Sequence, residues 1–256
     1  MYTPKEREHY FKRVVDQLAT SDLVEGIVQL GSGVAGYKDR HSDIDLMVAA
    51  PTIEAVEDAR EFVRSCFSEL DPVYIKLLKL SEHVYLLIAF MQNGLEFNVS
   101  IVPCEALKVK SPLWKVIFDR TARVTEVMME KQEQFERDSY EVSEDIPFEF
   151  LYSMRKFQTE VKRGNFIYAL KMLEAMRDCT LQLQAHSENK KLHQFKAYET
   201  LKPEFIKEYL STYPDEITGQ KLTEAAYRLK GLFFKTVSRS ESCHVDEKLH
   251  GICITE

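Results

Sequence analysis

Val28-Gln29-Leu30-Gly31-Ser32-Gly33 and, a short loop later, Asp43-Ile44-Asp45-Leu46-Met47-Val48 form the stretch on which the reading of this chain turns. It reads as an apolar strand, a Gly-Ser turn opening a short helix, and a second strand that begins with two acids one residue apart. Side chains alternate across a strand, so Asp43 and Asp45 share one face while Ile44, Leu46 and Val48 share the other. Two carboxylates held on one face repel unless something cationic lies between them. A hard divalent ion answers that need, and Mg²⁺ in such sites usually shares its coordination with substrate phosphates. Backbone N–H groups after Gly31-Ser32, at the start of a helix, would offer an anion site just upstream. The plainer alternative is a surface turn followed by a strand carrying two solvated acids.

Outward from this stretch, Tyr10, Val14, Val15 and Leu18 recur at helical spacing and predict an amphipathic helix over 4–18. Strands are expected at about 24–30 and 44–50, and a helix with early acids at about 53–70 (Val56, Phe62, Val63, Phe67). Runs rich in β-branched and aromatic residues predict strands at 73–80 and 84–91. Asn93-Gly94 is a strong hairpin signal. In 95–102, Leu95, Phe97, Val99 and Ile101 alternate with Glu96, Asn98 and Ser100, giving one core face and one polar face with Glu96 at its front. Residues 115–127 are expected to add one short strand, and the charged segment 132–145 to join two halves of the molecule. From Pro147 the pattern is helical: Phe150, Met154, Phe157 and Val161, then Phe166, Leu170 and Leu173, then Leu222, Ala225, Ala226, Leu229, Leu232 and Phe233 lie on successive stripes. Gly164-Asn165, Pro203 and Pro214 punctuate them. Arg177 interrupts an apolar stripe and reads as a buried, paired arginine.

The composition bounds the class. The chain has 256 residues, 45% hydrophobic and 29% charged, which is ordinary for a globular protein. The net charge of −7 provides no global basic field for nucleic acid. Five widely spaced cysteines without a C-x-x-C read as reduced thiols of a cytoplasmic protein. The charged N-terminus lacks the apolar core of a signal peptide. No run approaches the ~18 apolar residues of a membrane span. The histidines include no H-x-x-x-H and no Cys/His cluster, so zinc is not expected.

Leu30, Gly31, Ser32, Asp43, Ile44, Asp45 and Leu46, with Gly36 and Ser42, resemble the signature of the nucleotidyltransferase superfamily, whose fold is DNA polymerase β-like. The resemblance implies an α+β architecture, an N-terminal nucleotidyltransferase-type mixed β-sheet flanked by helices over 1–130, followed by a C-terminal helical bundle over 131–256. It also implies a third acid on a neighbouring strand, either a metal ligand or the base that takes the proton of an attacking hydroxyl. Glu96 is the acid on a strand that fits this role, its bland alternative being an exposed strand carboxylate. The expected catalytic and metal-holding set is therefore Asp43, Asp45 and Glu96, and the expected nucleotide-binding set is Gly31, Ser32, Lys38 and Arg40. Gly33 departs from the pattern, because many antibiotic-modifying members carry a larger or basic residue there. Lys38, Arg40 and His41 are read either as triphosphate contacts or as ordinary loop charge. Lys162 and Arg163 are read either as phosphate contacts or as helix-end cations, and Trp114 as a packing residue.

The segment Phe157 to Leu170, with Leu173 and Arg177, is similar to the helix–Arg-Gly–helix element of bacterial aminoglycoside and lincosamide nucleotidyltransferases. That resemblance implies Mg²⁺-dependent transfer of AMP from ATP to a hydroxyl of a small-molecule antibiotic, with release of pyrophosphate. It further implies a homodimer, while the acidic charge balance argues against nucleic acid, and the lack of a long apolar run against a membrane, as partner. Two alternatives remain: an enzyme that adenylylates a protein in the manner of some antitoxins, and a catalytically silent nucleotide-binding module.

Overall fold

The computed structural model describes residues 2–37, 41–137, 145–190 and 197–240. The chain divides into two compact units, Met1–Asp138 and Ser139–Glu256, and its architecture is α+β. Among the described residues no helix is long and apolar enough to cross a membrane.

The first unit is built on a six-stranded sheet. Its strands are β1 (Gly26–Leu30), β2 (Ile44–Ala50), β3 (Pro72–Ser81), β4 (Val84–Met91), β5 (Glu96–Pro103) and β6 (Trp114–Asp119), in the order β3-β4-β5-β2-β1-β6. All neighbours are antiparallel except β2 and β5. A parallel neighbour needs a long crossover, and the segment between β2 and β5 supplies it with helix α2 (Val56–Ser68) and the β3–β4 hairpin. The chain then turns at Asn93-Gly94, where Asn93 Oδ1 accepts from the Leu95 N–H at 3.1 Å, and β5 runs back beside β2.

Helix α1 (Pro4–Leu18) starts at a Thr3 cap with Pro4 in its first turn, and Thr3 and Glu6 satisfy each other's backbone N–H groups in a capping box. Ile44, Leu46 and Val48 on β2 and Phe97, Val99 and Ile101 on β5 are fully buried in one cluster with Val14 and Leu18 of α1 and Val63 and Phe67 of α2. Phe67 meets Phe97 edge to face at 5.1 Å. Burying a side chain of this size contributes about 1.5–3 kcal/mol, so this face dominates the unit's stability.

On the opposite face, Val28, Met47, Ala49 and Val102 are covered by Val124 and Met128 of α3 (Arg123–Arg137). Residues 120–127 do not continue the strand expected there. After Asp119 a turn leads directly into α3, with the Thr125 N–H and hydroxyl both on Asp119 Oδ2. The same helix runs to Arg137, into the charged segment expected to join two halves, because Val124, Val127 and Met128 form a stripe that packs on the sheet. Trp114 lies at the border of this cluster and donates its indole N–H to Gln132 at 2.7 Å, so it packs rather than stands free.

The second unit contains α4 (Ile146–Lys162), α5 (Phe166–Ser187), α6 (Pro203–Leu210) and α7 (Gly219–Val237) among its described residues. Phe150 of α4 stacks on Phe233 of α7 at 3.8 Å in a core that also holds Met154, Phe157, Leu173, Met176, Leu222 and Leu229. The α4–α5 turn is held by the buried Glu160, which accepts from Arg163 at 2.8 Å and from Asn165 at 2.9 Å. Arg177 is fully buried, as its place in an apolar stripe requires. Its guanidinium meets Glu174 at 2.6 Å and the Thr212 carbonyl at 2.8 Å, and lies 3.8 Å from the centre of the Tyr213 ring.

Cys66, Cys104 and Cys179 are buried free thiols, pushed up by burial to about 11, about 11 and about 12 respectively. Cys243, Cys253 and the rest of the tail from 241 lie outside the described residues.

Candidate functional site

The site begins with the pairing of β1 and β2, which sets Leu30 opposite Asp45. Immediately after Leu30 the chain turns. Gly31 adopts a left-handed φ of +68°, and a Cβ placed on it would come within 2.9 Å of Asp45 Oδ2. Only glycine combines that backbone conformation with such close approach to a carboxylate. The short helix expected here is a five-residue 3₁₀ turn, Gly31–Ala35. Any anion-binding capacity therefore resides in its individual N–H groups rather than in a helix dipole. The Gly31 N–H itself is taken by the Leu113 carbonyl at 3.0 Å, while Ser32 is exposed.

Asp43 and Asp45 are half-buried, at the approach to β2 and within it. The parallel register sets Asp45 opposite Asn98 and Ile44 opposite Phe97. Period-2 alternation then places Glu96 and Asn98 on the Asp45 face. Asn98 Nδ2 donates to Asp43 Oδ2 at 2.9 Å, so the partner that β5 gives Asp43 is an amide. Glu96 opens β5, half-buried, and pairs across the sheet with the exposed Phe90 of β4. Among the described residues no three His, Cys, Asp or Glu side chains gather as a metal-holding group. The donor chemistry present is an Asp43–Asp45 pair beside a glycine turn, which suits a divalent ion that takes its remaining oxygens from phosphate and water. Lys38 and Arg40 lie outside the described residues; His41 is exposed at their edge.

A buried scaffold behind the acids was not anticipated from the sequence. The Ser42 carbonyl, one residue before Asp43, accepts from Tyr2 Oη at 2.7 Å and from the Arg7 guanidinium at 3.2 Å. Arg7 is buried and lies 3.7 Å from the centre of the Tyr37 ring, a cation–π contact. Tyr37 Oη in turn accepts from Gln29 Nε2 at 3.3 Å. Burial, with the negative charges of Asp45 and Asp43 adding to it, lifts the Tyr37 phenol above its ordinary range, against the opposing pull of Gln29 and Arg7. The same two side chains explain Gly33, since a Cβ there would fall 2.3 Å from Gln29 Nε2 and 2.8 Å from the Tyr37 ring. A larger residue at that position would have to displace the ends of both side chains. One signal for this scaffold was present in the sequence: Arg7, Val14 and Leu18 share the buried stripe of α1. A charge on such a stripe implies a partner.

In the second unit Arg163, though exposed, is salt-bridged to Glu160 at the α4–α5 turn, and Lys162 beside it is exposed as well.

No family model and no curated protein matches the chain. Among solved structures it is similar to an aminoglycoside 6-adenyltransferase from Bacillus subtilis, at 14% identity and a TM-score of 0.43 over 100% of both chains. It is also similar to a nucleotidyltransferase-like protein from Exiguobacterium sibiricum, at 14% identity and a TM-score of 0.37 over 91% of this chain and 76% of that one. At TM-scores below 0.5 the chemistry of the site rests on the residues of this chain.

Proposed function

We propose that this chain is a nucleotidyltransferase that moves AMP from ATP to a hydroxyl group of a small molecule, of the aminoglycoside or lincosamide kind, in the presence of Mg²⁺. The observation that supports this reading is the closeness of the Gly31 turn to the Asp45 carboxylate, where a Cβ on Gly31 would come within 2.9 Å of Asp45 Oδ2. The backbone suited to phosphate and a carboxylate suited to a divalent cation are nearest neighbours.

In this reading Asp43 and Asp45 would hold the ion; Glu96 of β5, on the same sheet face but not gathered with them into a three-carboxylate group, would join them once the ion is bound. Mg²⁺, when bound, supplies neutralisation of the charge on the triphosphate. The Gly31-Ser32 turn would position the β- and γ-phosphates through Ser32 and the N–H groups after it, the Gly31 N–H being held by the Leu113 carbonyl, with Lys38 and Arg40 as further contacts. An acceptor hydroxyl attacks the α-phosphorus, a new P–O bond forms, and the bond to the departing pyrophosphate breaks. Glu96 either takes the hydroxyl proton or serves only to hold the ion. Arg7 touches no reactant; by gripping the Ser42 carbonyl it fixes the backbone that aims Asp43.

One observation favours a second reading, a nucleotide-binding module without turnover. The residue opposite Asp45 is an amide, Asn98, which already occupies Asp43 Oδ2. A single experiment separates the two. The protein, ATP and Mg²⁺ are incubated with a panel of aminoglycosides and lincosamides, and products are weighed by mass spectrometry beside Asp45→Ala. A gain of one AMP unit on a panel member, absent from the variant, supports transfer. ATP binding without any adduct moves the acceptor to another metabolite or to a protein, and ATP binding that releases no pyrophosphate with any acceptor supports the silent module.

A further inference from the structure

The core stripe of α4 has a counterpart on the outer side of the same helix. Phe148, Tyr152, Arg155, Lys156, Lys162 and Arg163 are all exposed. At 3.6 residues per turn they fall on one face, over a length of about 22 Å. The acids of α4, Glu149 and Glu160, lie to one side of that face, and Glu160 is buried at the α4–α5 turn. Phe148 and Tyr152 stack at 5.8 Å with an angle of 17° between their planes. One turn further on, Lys156 Nζ lies 5.3 Å from the centre of the Tyr152 ring. Arg163 is paired with Glu160, whereas among the described residues Arg155, Lys156 and Lys162 have no carboxylate partner. Exposed helix faces are commonly balanced by pairs of opposite charge, and the chain as a whole carries a net charge of −7. A face that gathers cations and large rings and omits acids departs from both.

We propose that this face of α4 is a binding surface for single-stranded nucleic acid. Arg155, Lys156 and Lys162 meet the phosphates, and unstacked bases add to the Phe148–Tyr152 stack, since every base has a π-face. An acidic polypeptide matches the cations equally well but brings no planar group to the rings at each step. With the rest of the chain acidic, the stripe exerts a local, salt-sensitive attraction rather than a field around the molecule. The surface lies wholly within the helical unit and does not depend on the nucleotidyl-transfer reading.

The test uses the full-length protein in EDTA, so that the acid pair holds no ion. A fluorescein-labelled oligo(dT) of about 15 nucleotides is followed by anisotropy. Three cations on a single strand predict that affinity falls about 20-fold between about 50 and about 200 mM salt. Tyr152→Leu should weaken binding about tenfold at either salt concentration, because it removes stacking and no charge. Arg155→Gln combined with Lys162→Gln should instead flatten the salt dependence to about threefold. If Tyr152→Leu does not fold, Phe148→Leu takes its place. Polyglutamate of the same length should compete at least about tenfold more weakly than unlabelled oligo(dT). The proposal is overturned if no binding occurs below ~1 mM at the lower salt, if the aromatic variant binds as the wild type does, or if the double variant keeps the full salt dependence. Equal competition by polyglutamate would also overturn it, and would assign the face to an acidic polypeptide.

Discussion

On one face of the β2–β5 pair, Ile44, Leu46, Phe97 and Val99 are sealed against α1 and α2. On the other, the same two strands present Asp45, Glu96 and Asn98, half-buried and polar. The two faces are interleaved residue by residue, so Phe97 and Asn98 are chain neighbours with opposite tasks. Hydrophobic burial on the first face supplies the stability that lets the second hold carboxylates side by side, an arrangement that costs free energy on its own. Where the second face does become apolar, at Met47, Ala49 and Val102, α3 covers it and the candidate site ends.

This contrast can be broken most forcefully from the core side. Phe97→Ala should cost about 3–5 kcal/mol, because the cavity faces Phe67 and tightly packed strands that relax little. Urea unfolding of the variant measures it. Arg7→Ala acts between the two faces. It removes the contact with Tyr37 and the hydrogen bond to Ser42, at an expected cost of about 2 kcal/mol. Because Arg7 also fixes the approach to Asp43, loss of Mg²⁺-dependent ATP binding should accompany the loss of stability. If ATP binding were unaffected, Arg7 would be structural only. The smallest effect is expected on the polar face. Asn98→Asp sets a carboxylate where the amide now donates to Asp43 Oδ2 at 2.9 Å, and should lower stability by about 1 kcal/mol. Thermal melts with and without Mg²⁺ read the sequel: the cation should restore more stability to this variant than it adds to the wild type.

Much of this face was legible in the sequence because strand alternation is a local property. The limits of β2 and β4 and the polar alternation of β5 follow from side chains two residues apart, and the Asn93-Gly94 turn from its own chemistry. The glycine turn and the acid pair were visible for the same reason. What escaped were features made by long-range contacts. Asn98 was placed on the polar face, but its bond to Asp43 spans 55 residues and depends on the parallel register of β2 and β5. Arg7 reaches Ser42 across 35 residues, so its role depends on how α1 lies on the sheet. Helix α3 itself was missed, its start read as the end of a strand and its second half as a charged joining segment, because only Val124, Val127 and Met128 mark its apolar stripe. In the helical unit, Met154, Phe157 and Val161 read as one stripe, and the structure buries Met154 and Phe157 in the core with Val161 packed against it.

The most direct measurement is calorimetric titration of ATP into the wild type and into Asp45→Ala, each with Mg²⁺ and with a chelator. It needs no knowledge of the acceptor. The expected result is binding that depends on Mg²⁺ in the wild type and weakens at least about tenfold, or 1.4 kcal/mol, in Asp45→Ala, with the melting temperature preserved. Equal affinity in the two proteins, or binding indifferent to Mg²⁺, would contradict the assignment of the Asp43–Asp45 face as the nucleotide site.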